Sequence, residues 1–250
     1  MVITPSVSPW EERLHRMSEW TDRMIGFMAD ASEYGNYFEE LSKTLSVYLD
    51  RSWSVCDAGC GIGQLTAGLS PYVKQVTGVD RSEAAIAHLK ARLESEKLAN
   101  AHAVCADFEN LDGSVVFDAM IFNYFGKMEE ILEIAEKHCL KRIIVVKKNY
   151  TKHRFSIGSN PIDEKSVDYV KNYLNRMGAR YTTELFSAEF GQPFHSLEGA
   201  VDFFSIYSRD KDRSLINSEN VEKRLVETGK SDFPYYLPHR RESIIFAIER

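Results

Sequence analysis

A short apolar segment, residues 52–58, runs directly into Gly59-Cys60-Gly61-Ile62-Gly63-Gln64. Glycines at alternate positions just after a strand-like run leave the chain few options. With no Cβ in the way the backbone can turn tightly and pass close to a ligand. A helix starting just beyond offers its unpaired amide N–H groups to an anionic group. Strand, glycine turn and helix in that order open a βαβ unit, which needs a parallel partner strand reached by a right-handed crossover. The spacing is G-x-G-x-G, not the G-x-G-x-x-G of dinucleotide-binding folds, and Asp57 stands just ahead of it. A carboxylate there repels a pyrophosphate and suits a cationic ligand, which disfavours a nicotinamide dehydrogenase.

The chain up to Asn149 supplies what such a unit needs. Residues 75–79, 103–106, 117–122 and 142–147 read as strands, and Ser82 caps a helix with Ile86, Leu89 and Leu93 facing inward. Residues 129–138 read as a further helix. This alternation predicts an open, doubly wound, mostly parallel α/β sheet covered on both faces. Ahead of it, Trp10, Leu14, Met17, Met24, Phe27 and Met28 recur at helical spacing. A second stripe follows Gly35: Tyr37, Phe38, Leu41, Leu45 and Leu49, with Tyr34 just before it. Such stripes serve either as core or as a lid over a ligand. After Asn149 the alternation loosens: residues 163–177 are amphipathic, 181–190 alternate like a strand with one wet face, 197–207 and 221–226 look helical, and 242–249 form a final strand. No repeat or low-complexity linker appears. The expectation is one domain over 1–250, with 1–50 as a helical lid, 51–150 as the ligand-binding core, and 151–250 as cap and C-terminal strands.

A chain of 250 residues buries enough surface to fold without disulfides or a structural metal. Its net charge of −6 argues against a face built to neutralise nucleic-acid phosphates. Cys56, Cys60, Cys105 and Cys139 form no CxxC pair and no metal-ligand spacing, so they read as small buried hydrophobes in a reducing cytosol. MVITPSVSPWEER lacks the basic and apolar regions of a signal peptide. Runs such as 143–146 and 244–248 are too short to span a bilayer. A cytoplasmic protein without a membrane partner is expected; its oligomeric state is not legible.

Ligands of open α/β sheets bind beyond the carboxyl ends of the strands. Asp80, in Gly78-Val79-Asp80-Arg81-Ser82, is placed to accept both hydroxyls of a ribose, or else to sit on the dipole of the following helix. Asp107, in Ala106-Asp107-Phe108, puts a carboxylate near an adenine amino group and an aromatic beside the base, unless it is a simple turn residue.

With these residues in place the chain resembles the class I S-adenosylmethionine-dependent methyltransferases. Asp57–Gly63, Val79-Asp80 and Ala106-Asp107-Phe108 look like the first three motifs of that family, and Phe117-Asp118-Ala119-Met120-Ile121 is similar to the fourth. The resemblance covers residues 35–150 closely and the tail loosely. It implies a seven-stranded sheet whose last strand is antiparallel, and S-adenosyl-L-methionine as cofactor. It further implies methionine-end contacts near Asp57, Gly59 and Cys60, ribose at Asp80, and adenine near Arg81, Asp107 and Phe108. Gly61, Asn123 and Tyr37, the last on a helix packing at the mouth of the sheet, complete the expected cofactor set. A sulfonium-bound methyl is already activated, so the protein mainly positions a nucleophile and excludes water. No triad is required, and no catalytic residue is identified. Asn123-Tyr124-Phe125-Gly126 departs from the signature of amino-group methylation on nucleic-acid bases.

The substrate side is harder to read. The run 147–154, with Lys147, Lys148, Lys152 and Arg154, is either a solvated basic loop or an anion-recognising rim. His195 and His239 are candidate bases or packing residues. The reading is methyl transfer to a small molecule, an anionic one where the basic run serves as a rim, with nucleic acid disfavoured. The alternatives are an RNA or protein acceptor, or a cofactor-binding regulator without turnover.

Overall fold

The computed structural model describes residues 20–150, 153–158 and 166–250. Trp10, Leu14, Met17, Lys152 and the start of the amphipathic run 163–177 lie outside them. Helix α1 (Asp22–Tyr34) begins at Thr21, whose Oγ1 accepts the Met24 N–H, and stops at Gly35. Helix α2 (Tyr37–Ser46) follows, so Gly35 does separate two helices. Asp50 then accepts both the N–H and the hydroxyl of Ser52, closing a turn that delays strand β1 to Ser54–Ala58.

The alternation continues through α3 (Gln64–Leu69), β2 (Gln75–Asp80), α4 (Glu83–Ser95), β3 (Ala101–Cys105), β4 (Phe117–Asn123), α5 (Met128–His138) and β5 (Cys139–Lys148). Ser82 caps α4 by accepting the Ala85 N–H. Strand β3 starts two residues earlier and ends one earlier than its apolar pattern indicates. Parallel pairing with β2, from Val76 opposite Ala101 to Asp80 opposite Cys105, sets its bounds.

Beyond these come α6 (Ser166–Arg176), β6 (Tyr181–Glu189), β7 (Gln192–Phe194), α7 (Leu197–Tyr207), α8 (Ser218–Glu222), β8 (Val226–Glu227), β9 (Tyr235–Leu237) and β10 (Arg240–Glu249). The main sheet has seven strands in the order β3-β2-β1-β4-β5-β10-β6. Its first five strands are parallel, and β10 is antiparallel to both neighbours. Strand order reverses at β1, which pairs with β2 on one side and β4 on the other. The two faces separate along each strand as pleating requires. Val55 and Ile121 belong to a core under α2–α4, while Cys56 and Met120 belong to one under α5 and α6.

The tail builds a second, three-stranded antiparallel sheet, β7-β9-β8, over a third cluster of Phe194, Phe203, Phe204, Val221 and Leu237. Here the sequence reading needs correction. Residues 221–226 are not one helix: α8 ends at Glu222, and Val226 pairs with Tyr236. Strands of two or three residues carry no periodicity, so only their pairing reveals them. The cysteines are also less uniform than expected: Cys56 and Cys139 are buried, Cys60 is half-buried and Cys105 is exposed at the end of β3. Among the described residues no helix is long and apolar enough to cross a membrane.

Candidate active site

The carboxyl ends of β1–β4 frame a cavity of about 440 Å³, within the usual range for small-molecule sites. The turn after β1 forms its floor. Gly59, Gly61 and Gly63 have φ of 68°, 53° and 82°, the left-handed region that L side chains resist. A Cβ at Gly61 would also come within 2.6 Å of the Trp20 ring. Gly59 and Cys60 donate their N–H groups to the Val79 carbonyl at 2.8 and 3.1 Å. Asp80 ties the turn to the next helix: Oδ2 accepts the Gly61 N–H and Oδ1 the Ser82 N–H, each at 2.9 Å. Its carboxylate is thereby fixed at the rim with acceptor capacity to spare. Arg81, Asp107, Phe108 and Asn123 also line the cavity, as do Trp20 and Met24 from the amino-terminal segment.

Residues 55–149 match the model of a family described as "Methyltransferase domain". This stretch is accordingly a methyltransferase domain.

Solved structures agree on the fold. The YcgJ protein of Bacillus subtilis is 14% identical, with 86% of this chain and 98% of that one covered at a TM-score of 0.55. Precorrin-6y C5,15-methyltransferase of Geobacter metallireducens is 13% identical, with 83% and 87% covered at 0.51. A candidate RNA methyltransferase of Pyrococcus horikoshii is 14% identical, with 86% and 84% covered at 0.52. No curated protein sequence matches the chain.

The methyltransferase domain gathers Gly59, Asp80, Arg81, Asp107, Phe108 and Asn123 around one space. Asp57, Cys60, Gly61 and Tyr37 are not among its lining residues. Asp57 is 1% exposed and accepts the Thr66 hydroxyl at 2.7 Å. Burial pushes its carboxyl up to about 7, against the lowering effect of that hydrogen bond. Burial likewise raises the Cys60 thiol, with Asp57 and Asp80 adding to it, so Cys60 is an inert thiol. Tyr37 is buried against Phe186 and Phe190, with ring centroids 5.6 and 4.5 Å away. It is a core residue under the site.

Sequence reasoning missed Tyr124. It lines the cavity with φ 57°, a conformation uncommon outside glycine. Its hydroxyl pairs with Ser243 of β10, and the Arg241 guanidinium lies 5.1 Å from its ring. The signal was present: Tyr124 directly follows a strand at the carboxyl edge, where site residues sit.

Lys147 is not a free rim cation. Its Nζ donates to the Phe125 and Gly126 carbonyls at 3.0 and 2.6 Å, holding the loop that lines the cavity. His195 faces neither cavity nor cofactor turn. Its Nδ1 pairs with the Asp232 carbonyl at 2.7 Å, its Nε2 lies 3.4 Å from Asp30, and its ring stacks on Phe233. Nothing in that setting makes it a base.

Proposed function

We propose that the chain transfers a methyl group from S-adenosyl-L-methionine to a small-molecule acceptor in the cytoplasm, working as a single domain over 1–250. The observation that carries this reading is the wall that the amino-terminal segment adds to the cavity. Trp20 and Met24 line it from the amino-terminal segment, with the Trp20 ring against Gly61. Helix α1 behind them is fastened to the cap: Phe27 packs at 5.0 Å on Phe203, its carbonyl accepts from Gln192, and Arg23 pairs with Asp202 at 2.9 Å. A cavity narrowed by such a wall suits a compact acceptor better than a polymer, and the net charge of −6 disfavours nucleic acid.

In this reading Asp80 accepts the ribose hydroxyls, and Arg81, Asp107 and Phe108 flank the adenine. Asp57, Gly59, Cys60 and Gly61 shape the turn that receives the methionine end. Asn123 and Tyr124 stand beyond it, with Tyr37 supporting them from the core. The bound cofactor supplies a methyl on sulfur that departs from a neutral thioether. The protein's own task is to position the acceptor and keep water out, and the Trp20–Met24 lid serves the second purpose.

The test is to incubate the protein and methyl-labelled S-adenosylmethionine with fractionated cell extract. Label is expected in the low-molecular-weight fraction. Label in RNA or protein would overturn the acceptor class, and no label in any fraction would favour a binding protein without turnover.

A further inference from the structure

A second cavity of about 440 Å³ opens on the same edge of the sheet, past the end of β5 and the start of β10. Tyr150, Arg154, Arg224, His239 and the exposed Glu242 line it. The cavity is rich in donors and short of acceptors. The Arg154 guanidinium lies 4.0 Å over Phe155 and 5.6 Å from Phe190. Its hydrogen bond among the described residues runs to the Phe190 carbonyl at 2.8 Å. Arg224 donates to the Ser156 and Arg154 carbonyls. Each guanidinium carries five donors, and among the described residues most of them have no partner. Neither forms an ion pair among the described residues. Asp210, the acid near Arg224, accepts from Ile157 N, Gly158 N and the Ser208 hydroxyl.

The neighbouring strand adds to the deficit. His239, Arg241 and Ser243 alternate along one side of β10 and its lead-in. His239 Nε2 and Arg241 Nε are buried with no hydrogen-bond partner among the described residues. Burial, with Arg154 and Arg241 beside it, pushes the His239 imidazole down to about 3, leaving it neutral at ordinary pH. A partly buried guanidinium that forms no ion pair among the described residues is costly, and an arriving oxyanion would relieve that cost with charge-assisted hydrogen bonds.

This cavity adjoins the first. Arg241 lies 5.1 Å from the Tyr124 ring, which lines the cofactor cavity, and 4.3 Å from Phe190, which Arg154 also faces.

We infer that the second cavity is an oxyanion subsite in which Arg154 and Arg224 bind a carboxylate or phosphate group of the methyl acceptor. The identity of the anion's carrier as the acceptor rests on the proposed function; the oxyanion site itself rests on the arginines alone.

The experiment uses the whole protein in thermal-unfolding and calorimetric titrations with inorganic phosphate and, separately, succinate. Ionic strength is held constant with chloride, and S-adenosylhomocysteine is titrated in parallel. Saturable stabilisation by either anion is expected, and whichever binds more tightly tells phosphate from carboxylate. Arg154→Gln should weaken that binding at least tenfold, as loss of charged hydrogen bonds does, with S-adenosylhomocysteine affinity unchanged. Arg224→Gln, at a less buried position, serves where Arg154→Gln fails to fold. No saturable effect beyond chloride, or binding untouched by both substitutions, would overturn the subsite. Failure of S-adenosylhomocysteine to bind would count against the methyltransferase reading while leaving the anion result standing.

Discussion

Asp57 offers the sharpest quantitative test of the site's electrostatics. Its carboxyl is fully buried and titrates near 7, whereas in the unfolded chain it titrates at about 3.9. Below the unfolded value both states hold the proton, and the neutral carboxyl contributes its full stabilisation. Between about 4 and 7 only the folded state holds it, so stability falls by about 1.4 kcal/mol for each pH unit gained. Above 7 the contribution is gone. Taking the two titration points together, this group makes the wild-type protein lose about 2.5 kcal/mol between pH 5 and pH 8. Asp57→Asn keeps an acceptor for the Thr66 hydroxyl, which now bonds to the carboxylate at 2.7 Å, but cannot titrate. Urea unfolding of both proteins at the two pH values, extrapolated linearly, isolates the effect. His153 and His239, whose titrations are depressed to about 4 and 3, respond alike in both proteins and cancel in the difference. Wild type should lose about 2.5 kcal/mol more than the variant. Equal losses, or a larger loss in Asp57→Asn, would refute the assignment of a raised, burial-driven titration to this carboxyl.

Asp80→Ala removes the acceptor for Gly61 N–H and Ser82 N–H together with the proposed ribose acceptor. S-adenosylhomocysteine affinity should fall by about 2–3 kcal/mol, and unchanged affinity by calorimetry in a folded variant would remove Asp80 from the site. The wall formed by Trp20 and Met24 should be cut by protease within residues 20–35 in the free protein and protected by S-adenosylhomocysteine. Equal resistance in both states, with loss of folding when the segment is deleted, would make it core and not lid.

The carboxyl edge of the sheet around the glycine turn was legible from sequence because its logic is local. Gly59, Gly61 and Gly63 have left-handed backbone geometry within a single turn, and Asp80 and Asp107 stand at strand ends that the alternation itself locates. The seven-stranded sheet and its antiparallel strand followed from the family resemblance carried by those same short motifs. The strands 226–227 and 235–237 could not be read this way. They are too short for periodicity, and partners far along the chain define them, as Val226 is defined by Tyr236.

The same limit governed the site's outer half. Tyr124 gains its place from Ser243, more than a hundred residues away. Lys147 looked like a rim cation until the structure spent its ammonium on the loop after β4. Arg154, Arg224 and His239 become one donor-rich cavity only when β5, β10 and the cap converge. Backbone conformation and the strand–helix alternation are written in neighbouring residues, so the sequence by itself determined the parallel sheet and the glycine turn at its carboxyl edge. Which side chains face one another across the acceptor space depends on packing between distant segments, and that only the tertiary structure decided.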